Sequence, residues 1–145
     1  MNIAIGADHR GYAYKEFIKK HIKVKGQGIN WIDVGTHNTE RADYPLFAQA
    51  VVDKVKSSQA DLGLLLCGSG IGMAITANRT PGIYASLAWN KEVARMSKEH
   101  TNVNVLVLPA DFVGKEELQE IISTWLGAAF QQGRYQERLT MIDRF

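Results

Sequence analysis

The chain is predicted to fold as one α/β domain spanning residues 1–145, a three-layer αβα arrangement of the Rossmann-like kind around a five-stranded parallel sheet. Three observations point there. Short apolar runs of strand length alternate with segments of helical periodicity, and the connections are short, which imposes right-handed crossovers and parallel strands. The apolar run 62–66 delivers the only cysteine, Cys67, directly into a glycine loop that opens a helix. The length of 145 residues is enough to bury such a core without disulfide or metal staples.

The elements follow in order. Residues 3–5 read as the first strand, and Tyr14, Phe17, Ile18 and Ile22 mark a helix by their spacing. A second strand covers 29–34. The next helix opens near Pro45, a residue suited to a first turn, and buries Phe47, Ala48, Val51, Val52 and Val55. After the third strand, 62–66, residues 70–78 form a short helix and 83–88 a fourth strand. Asn90 is placed to cap a helix whose inner stripe is Val93, Met96, Ser97 and His100. Residues 103–108 are the fifth strand. Leu118, Ile121, Ile122, Trp125, Leu126 and Ala129 then recur at helical intervals, with Gly133 closing the helix. Tyr135, Leu139 and Ile142 mark a last amphipathic segment. The expected strand order is 2-1-3-4-5, which brings the loop after strand one opposite the loop after strand three.

Composition narrows the function. Charged residues are 22% of the chain and the net charge is +2, so no nucleic-acid partner is expected. Lys15, Lys19, Lys20 and Lys23 read as a solvated helix face. A single cysteine excludes an internal disulfide, the chain opens directly on a strand, and no apolar run approaches the roughly 18 residues of a membrane span. A cytoplasmic protein without a membrane partner is the expectation. No repeat or low-complexity tract is present.

Cys67 is the first candidate for chemistry. Gly68, Gly70 and Gly72 follow it, so backbone N–H groups and a helix N-terminus surround the thiol and favour its ionised form. The alternative is a buried thiol filling a gap. Asp8 and His9, in the loop GADHRG at 6–11, are polar groups at a strand's carboxyl end, although Asp8 could equally cap the next helix. Ser69 can donate to a developing oxyanion or cap the helix that follows. His100, on the residue pattern alone, reads as a core or helix-capping histidine, and His21 and His37 as surface residues. Arg134 and Arg138, four apart, either share an anion or form a solvated face with Glu137. No dinucleotide fingerprint, phosphate-loop lysine or metal motif occurs, and Met73 stands where a cysteine phosphatase loop needs arginine. No cofactor and no metal are expected.

GADHRGY at 6–12, Glu-Arg-x-Asp-Tyr-Pro at 40–45, CGSGIGMAITANR at 67–79, Ser97-Lys98-Glu99-His100, Asn104-Val105-Leu106 and the stretch from Gly133 and Arg134 to Arg138 lie in one collinear order. By these motifs the chain resembles the type B ribose-5-phosphate isomerase family, which also holds galactose-6-phosphate isomerases. The resemblance implies a metal-free aldose–ketose isomerisation through a cis-enediolate. Cys67 would be the base moving a proton between carbons 2 and 1, and Gly68, Ser69, Gly70, Ile71 and Gly72 would cradle the enediolate oxygen. His100 would help open the sugar ring, Asp8 would bind sugar hydroxyls and assist proton movement, and His9, Arg134 and Arg138 would hold the phosphate. Asp43, Tyr44 and Thr101 would line the site. Thr101 and Asp111 depart from the family, where asparagine and arginine are usual. The resemblance also implies a homodimer or tetramer whose sites draw on two chains, with the C-terminal helix extending toward a partner subunit. A six-carbon sugar phosphate is the alternative substrate, and a non-catalytic sugar-phosphate sensor the alternative class.

Overall fold

The sheet is centred on β3 (Leu62–Cys67), whose last five residues are all buried, as expected of a strand covered on both faces. A computed structural model describes all 145 residues. Around β3 the chain arranges β1 (Asn2–Ala7), α1 (Tyr12–His21), β2 (Asn30–Asp33), α2 (Tyr44–Lys56), α3 (Ile71–Ala77), β4 (Ala85–Leu87), α4 (Lys91–Thr101), β5 (Val105–Pro109), α5 (Lys115–Gly127) and α6 (Arg134–Ile142). All five strands are parallel.

Strand pleat divides the core into two layers. Ile3, Ile5, Leu64, Leu66, Leu106 and Leu108 face one side and pack with Ile18 of α1, Ala94 of α4 and Leu118, Ile122 and Trp125 of α5. Ala4, Leu65, Val105 and Val107 face the other side with Ala48, Val51 and Val52 of α2 and Met73 and Ala77 of α3. Cys67 belongs to this second layer. The three-layer αβα architecture is therefore as the alternation of elements predicts.

The far edge of the sheet corrects the expected order, which is 2-1-3-5-4 and not 2-1-3-4-5. Composition explains the exchange. Every residue of β5, Val-Leu-Val-Leu-Pro, is buried, so it fits an interior position, whereas β4 has three partly exposed residues and sits at the edge. The free edge is blunted by a side chain: the Asn78 amide donates to the Ala85 carbonyl and accepts the Ala85 N–H, each at 2.8 Å.

Three further readings change. Lys15 is not solvated: its side chain is 0% exposed and its ammonium contacts Asp33 at 2.6 Å and Glu16 at 2.9 Å, with Lys19 also paired to Asp33. Met96 points outward and Ala94 is buried in its place, while Ser97 is buried as expected, because the inner face of α4 meets α5. Helix α5 ends at Gly127, and Gly133, at φ +56°, precedes α6 instead of closing α5. Asn90 caps α4 as read, accepting the Val93 N–H at 2.9 Å. No helix is long and apolar enough to cross a membrane.

Candidate active site

Strand register sets the site. Ala7 is aligned with Leu66 and Cys67 with Pro109, so the residues leaving β1, β3 and β5 emerge side by side at one end of a parallel sheet. The chain turns outward from β1 toward β2 and from β3 toward the opposite edge, which opens a crevice between β1 and β3. Asp8 and Cys67, each 5% exposed, stand at the base of that crevice.

The cavity has a volume of about 680 Å³, within the range of small-molecule sites. Asp8, Tyr44, Cys67, Gly68, Ser69, Ile71 and Gly72 all line it. Tyr44 lies across Gly72 in the first turn of α3, where a β-carbon would come within 2.4 Å of the phenol ring and displace it. A larger cleft of about 850 Å³ runs along β4 beside α6, but neither Cys67 nor Asp8 reaches it.

Local backbone geometry holds each reactive group. The Cys67 Sγ accepts the Gly70 N–H at 3.1 Å, in a turn where Gly70 has φ +76°. Asp8 Oδ1 accepts the N–H groups of Arg10 at 2.9 Å and Gly11 at 3.0 Å, which fixes the carboxylate while the chain enters α1. Asp8 therefore fixes the turn that leads into α1 and lines the cavity, while α1 itself is capped by Gly11 without a side-chain hydrogen bond. Ser69 Oγ accepts the Ile71 N–H at 3.3 Å, whereas the residue that caps α3 is Gly70.

The electrostatics of the thiol reverse an expectation. Burial pushes the Cys67 thiol above its ordinary value, and the nearby Asp8 charge pushes it further the same way. The N–H groups of Gly70, Met73 and Ser69 oppose this without overcoming it, since α3 spans only seven residues and the thiol has left water.

The remaining predicted residues lie elsewhere. His9 turns to Ala42, its Nδ1 lying 3.2 Å from both the backbone oxygen and nitrogen of that residue. Asp43 is exposed at the start of α2 and makes no capping hydrogen bond. Thr101 is exposed on α4, its hydroxyl donating to the Ser97 carbonyl at 2.7 Å.

His100, Arg134 and Arg138 form a second cluster. The His100 ring stacks on Tyr135 at 4.5 Å with 5° between planes, and the guanidiniums of Arg134 and Arg138 lie 5.2 and 5.8 Å from the same tyrosine ring. His100 therefore packs on α6, and neither it nor the two arginines lines the Cys67 cavity of its own chain. Conversely, Arg10, Ile75, Asp111 and Phe112 do line it, and of these only Asp111 draws attention in the sequence. The signal for Arg10 was its place in the same loop as Asp8. No group of three or more His, Cys, Asp or Glu side chains gathers in metal-binding geometry.

Comparison with known proteins accords with this geometry. The family model described as Ribose/Galactose Isomerase matches residues 3–142. A relative from Mycoplasma genitalium named as a probable ribose-5-phosphate isomerase B is 40% identical, the alignment covering 100% of this chain and 95% of the relative. The crystal structure of a ribose 5-phosphate isomerase from Thermotoga maritima superposes with a TM-score of 0.94 at 42% identity, over 99% of this chain and 98% of that one. A Mycoplasma genitalium ribose-5-phosphate isomerase B solved with bound ribulose-5-phosphate gives a TM-score of 0.90 at 39% identity, over 99% and 94%. With the family model matching residues 3–142 and relatives about 40% identical over nearly the whole chain, the chain belongs to the ribose/galactose isomerase family.

Proposed function

We propose that this chain interconverts ribose 5-phosphate and ribulose 5-phosphate by proton transfer through Cys67, as a homodimer in the cytoplasm. The observation that carries the reading is the pairing of Cys67 and Asp8 at the base of one cavity in a chain of this family. In the open-chain aldose, the Cys67 thiolate takes the proton from carbon 2. The released electron pair forms the carbon 1–carbon 2 double bond, and the carbonyl π pair moves onto oxygen 1. Asp8 carries a proton from oxygen 2 to oxygen 1. The thiol then returns its proton to carbon 1, leaving a ketone at carbon 2 and no net change in electrons.

A buried thiol of raised pKa is a scarce but strong base, suited to a weakly acidic C–H bond once ionised. The Ser69 hydroxyl and the loop N–H groups are the donors nearest to the negative oxygen, and one such donor is typically worth about 3–4 kcal/mol in a transition state. The unpaired Cys67 fits a reducing compartment.

A second copy would complete the site. The His100 cluster lies apart from the Cys67 cavity of its own chain, while Tyr44, Ile71, Ile75 and Phe112 expose apolar surface around that cavity's mouth. A partner covering this surface would bring a ring-opening histidine and the phosphate-holding Arg134 and Arg138.

The test is turnover of ribose 5-phosphate in deuterated water, followed by NMR. Wild-type protein is expected to incorporate deuterium at carbon 2 and to favour ribose 5-phosphate over galactose 6-phosphate. Cys67→Ala is expected to abolish exchange while still binding sugar phosphate, and exchange retained in that variant removes the thiol from the reaction. Mixing Cys67→Ala with Arg134→Ala protein should recover activity that neither has alone if sites are shared between copies.

A further inference from the structure

An ion pair spans the mouth of the Cys67 cavity. Arg10 donates to Asp111 across Gly68, and both side chains line the cavity. Arg10 is the only cationic side chain that does so. The pair is anchored at both ends to the reactive segment: the Arg10 N–H donates to Asp8 at 2.9 Å, and the Asp111 N–H donates to the Gly68 carbonyl at 3.0 Å. Gly68 makes room for it, since a β-carbon there would lie 2.7 Å from Arg10 Nε and 2.8 Å from Asp111 Oδ2. The two side chains are nevertheless 58% and 36% exposed, so water reaches both.

From this arrangement we infer that Arg10 is the anion-binding cation this chain contributes to its own cavity, and that Asp111 is a built-in competitor for it that limits how tightly a substrate phosphate is held. The inference rests on the sugar-phosphate reading above. A solvated pair is held weakly, so an arriving phosphate, with more charge and more acceptor oxygens than a carboxylate, displaces Asp111 from the guanidinium. Arg10 then changes partner without a change in backbone, because its own N–H stays on Asp8. The displaced carboxylate remains beside the phosphate and repels it. Asp111 thereby favours release of a charged product, and the affinity of the site is set by a contest between two anions for one guanidinium.

The test measures binding of inorganic phosphate by calorimetry at low salt, with ribose 5-phosphate kinetics alongside. Asp111→Asn is expected to tighten phosphate binding about threefold or more and to lower KM with little change in kcat. Arg10→Gln is expected to weaken phosphate binding about tenfold or more, as loss of a charged hydrogen bond does. In the Arg10→Gln background the gain from Asp111→Asn should shrink below about twofold, because no guanidinium is left to contest. Unchanged or weaker phosphate binding by Asp111→Asn overturns the inference. So does an equal gain in both backgrounds, which would mark Asp111 as a remote charge only, and so does the absence of saturable phosphate binding in wild type and Asp111→Asn alike. Calorimetry reads phosphate without turnover, so a wild-type protein that binds phosphate but does not isomerise ribose 5-phosphate would refute the proposed activity and leave the contest standing.

Discussion

The Cys67 sulfur and the Gly70 backbone nitrogen lie 3.1 Å apart, closing a tight turn that favours glycine at its last position. Gly70 has φ +76°, and a β-carbon there would come within 2.3 Å of Leu87 Cδ1. The same turn that supplies an N–H to the sulfur thus buries it against the sheet, and the two effects have opposite signs. Burial is the larger, and the neighbouring Asp8 adds to it. A reactive thiol is normally recognised by a lowered pKa, whereas burial and the Asp8 charge push this one up.

Alkylation of Cys67 by iodoacetamide reads this balance. Because the thiol titrates above its ordinary value, the rate should rise with pH over a range displaced upward from that of a free cysteine. Asp8→Asn removes a charge that opposes the thiolate, while its side-chain oxygen can still accept the Arg10 and Gly11 N–H groups. That variant should alkylate faster at neutral pH, with a profile displaced to lower pH. A rate that levels off below pH 8 in wild type would contradict the burial argument.

Much of the fold was legible in local pattern, and the parts that were not depend on long-range packing. The strands, the Asn90 cap and the meeting of Asp8 with Cys67 follow from periodicity and from the rule that ligands gather where the winding reverses. The exchange of β4 and β5 was hidden because both are short apolar segments, and only their final burial separates edge from interior. Lys15 looked solvated because its partner Asp33 is 18 residues away on another element. By residue pattern alone His100 reads as a core or capping histidine and Arg134 and Arg138 as either an anion site or a solvated face, because their assembly on Tyr135 depends on the packing of α4 against α6. Arg10 is marked locally only by sharing the loop of Asp8, and its partner is 101 residues away.

Gly11→Ala should be strongly destabilising. A β-carbon at this position would lie 2.5 Å from the Leu66 carbonyl oxygen and 2.7 Å from its carbon, both backbone atoms of β3 that cannot rotate away. Overpacking of this kind costs about 1–3 kcal/mol, and a clash with backbone belongs at the upper end. The urea midpoint should fall with an unchanged slope. Activity of the folded fraction should fall as well, because the strained segment carries the N–H bound to Asp8.

Tyr84→Phe should remove a phenol that ionises far outside the ordinary range. The Tyr84 hydroxyl donates to both oxygens of Asp143 at 2.7 Å, and this bond, ahead of burial, pushes its pKa up to about 12. A group whose folded pKa is raised contributes its full stability below the unfolded value, near pH 10, and loses it as pH rises through about 12. Titration monitored by tyrosinate absorbance should lose its last step in the variant. The C-terminal end of α6 should also come loose from the β4 edge in wild type over that same interval, detectable as faster proteolysis of the tail.

Lys15→Met tests whether the buried charges under β2 stabilise the fold. Asp33 lies in surroundings that by burial alone would raise its pKa, yet the hydrogen bonds from Lys15, Lys19 and the Gly35 N–H together hold it below the usual carboxylate range. Removing Lys15 leaves Asp33 with Lys19 and Gly35, so the loss should be about 1–3 kcal/mol, short of the roughly 3–5 kcal/mol for a buried charge left alone. The sign of the pH dependence is fixed by the lowered value. Stability from Asp33 is present above its unfolded pKa, near 3.9, and is lost as pH falls through the folded pKa. The difference between wild type and Lys15→Met, measured by urea unfolding, should therefore be full at neutral pH and shrink in strong acid. Lys15→Met with Asp33→Leu should recover much of the loss, because exchanging a buried pair for apolar side chains is often neutral. If the double variant is no more stable than Lys15→Met, the role of Asp33 is its grip on the Gly35 N–H at 2.9 Å, where the chain turns back to pair with Ala7 beside Asp8.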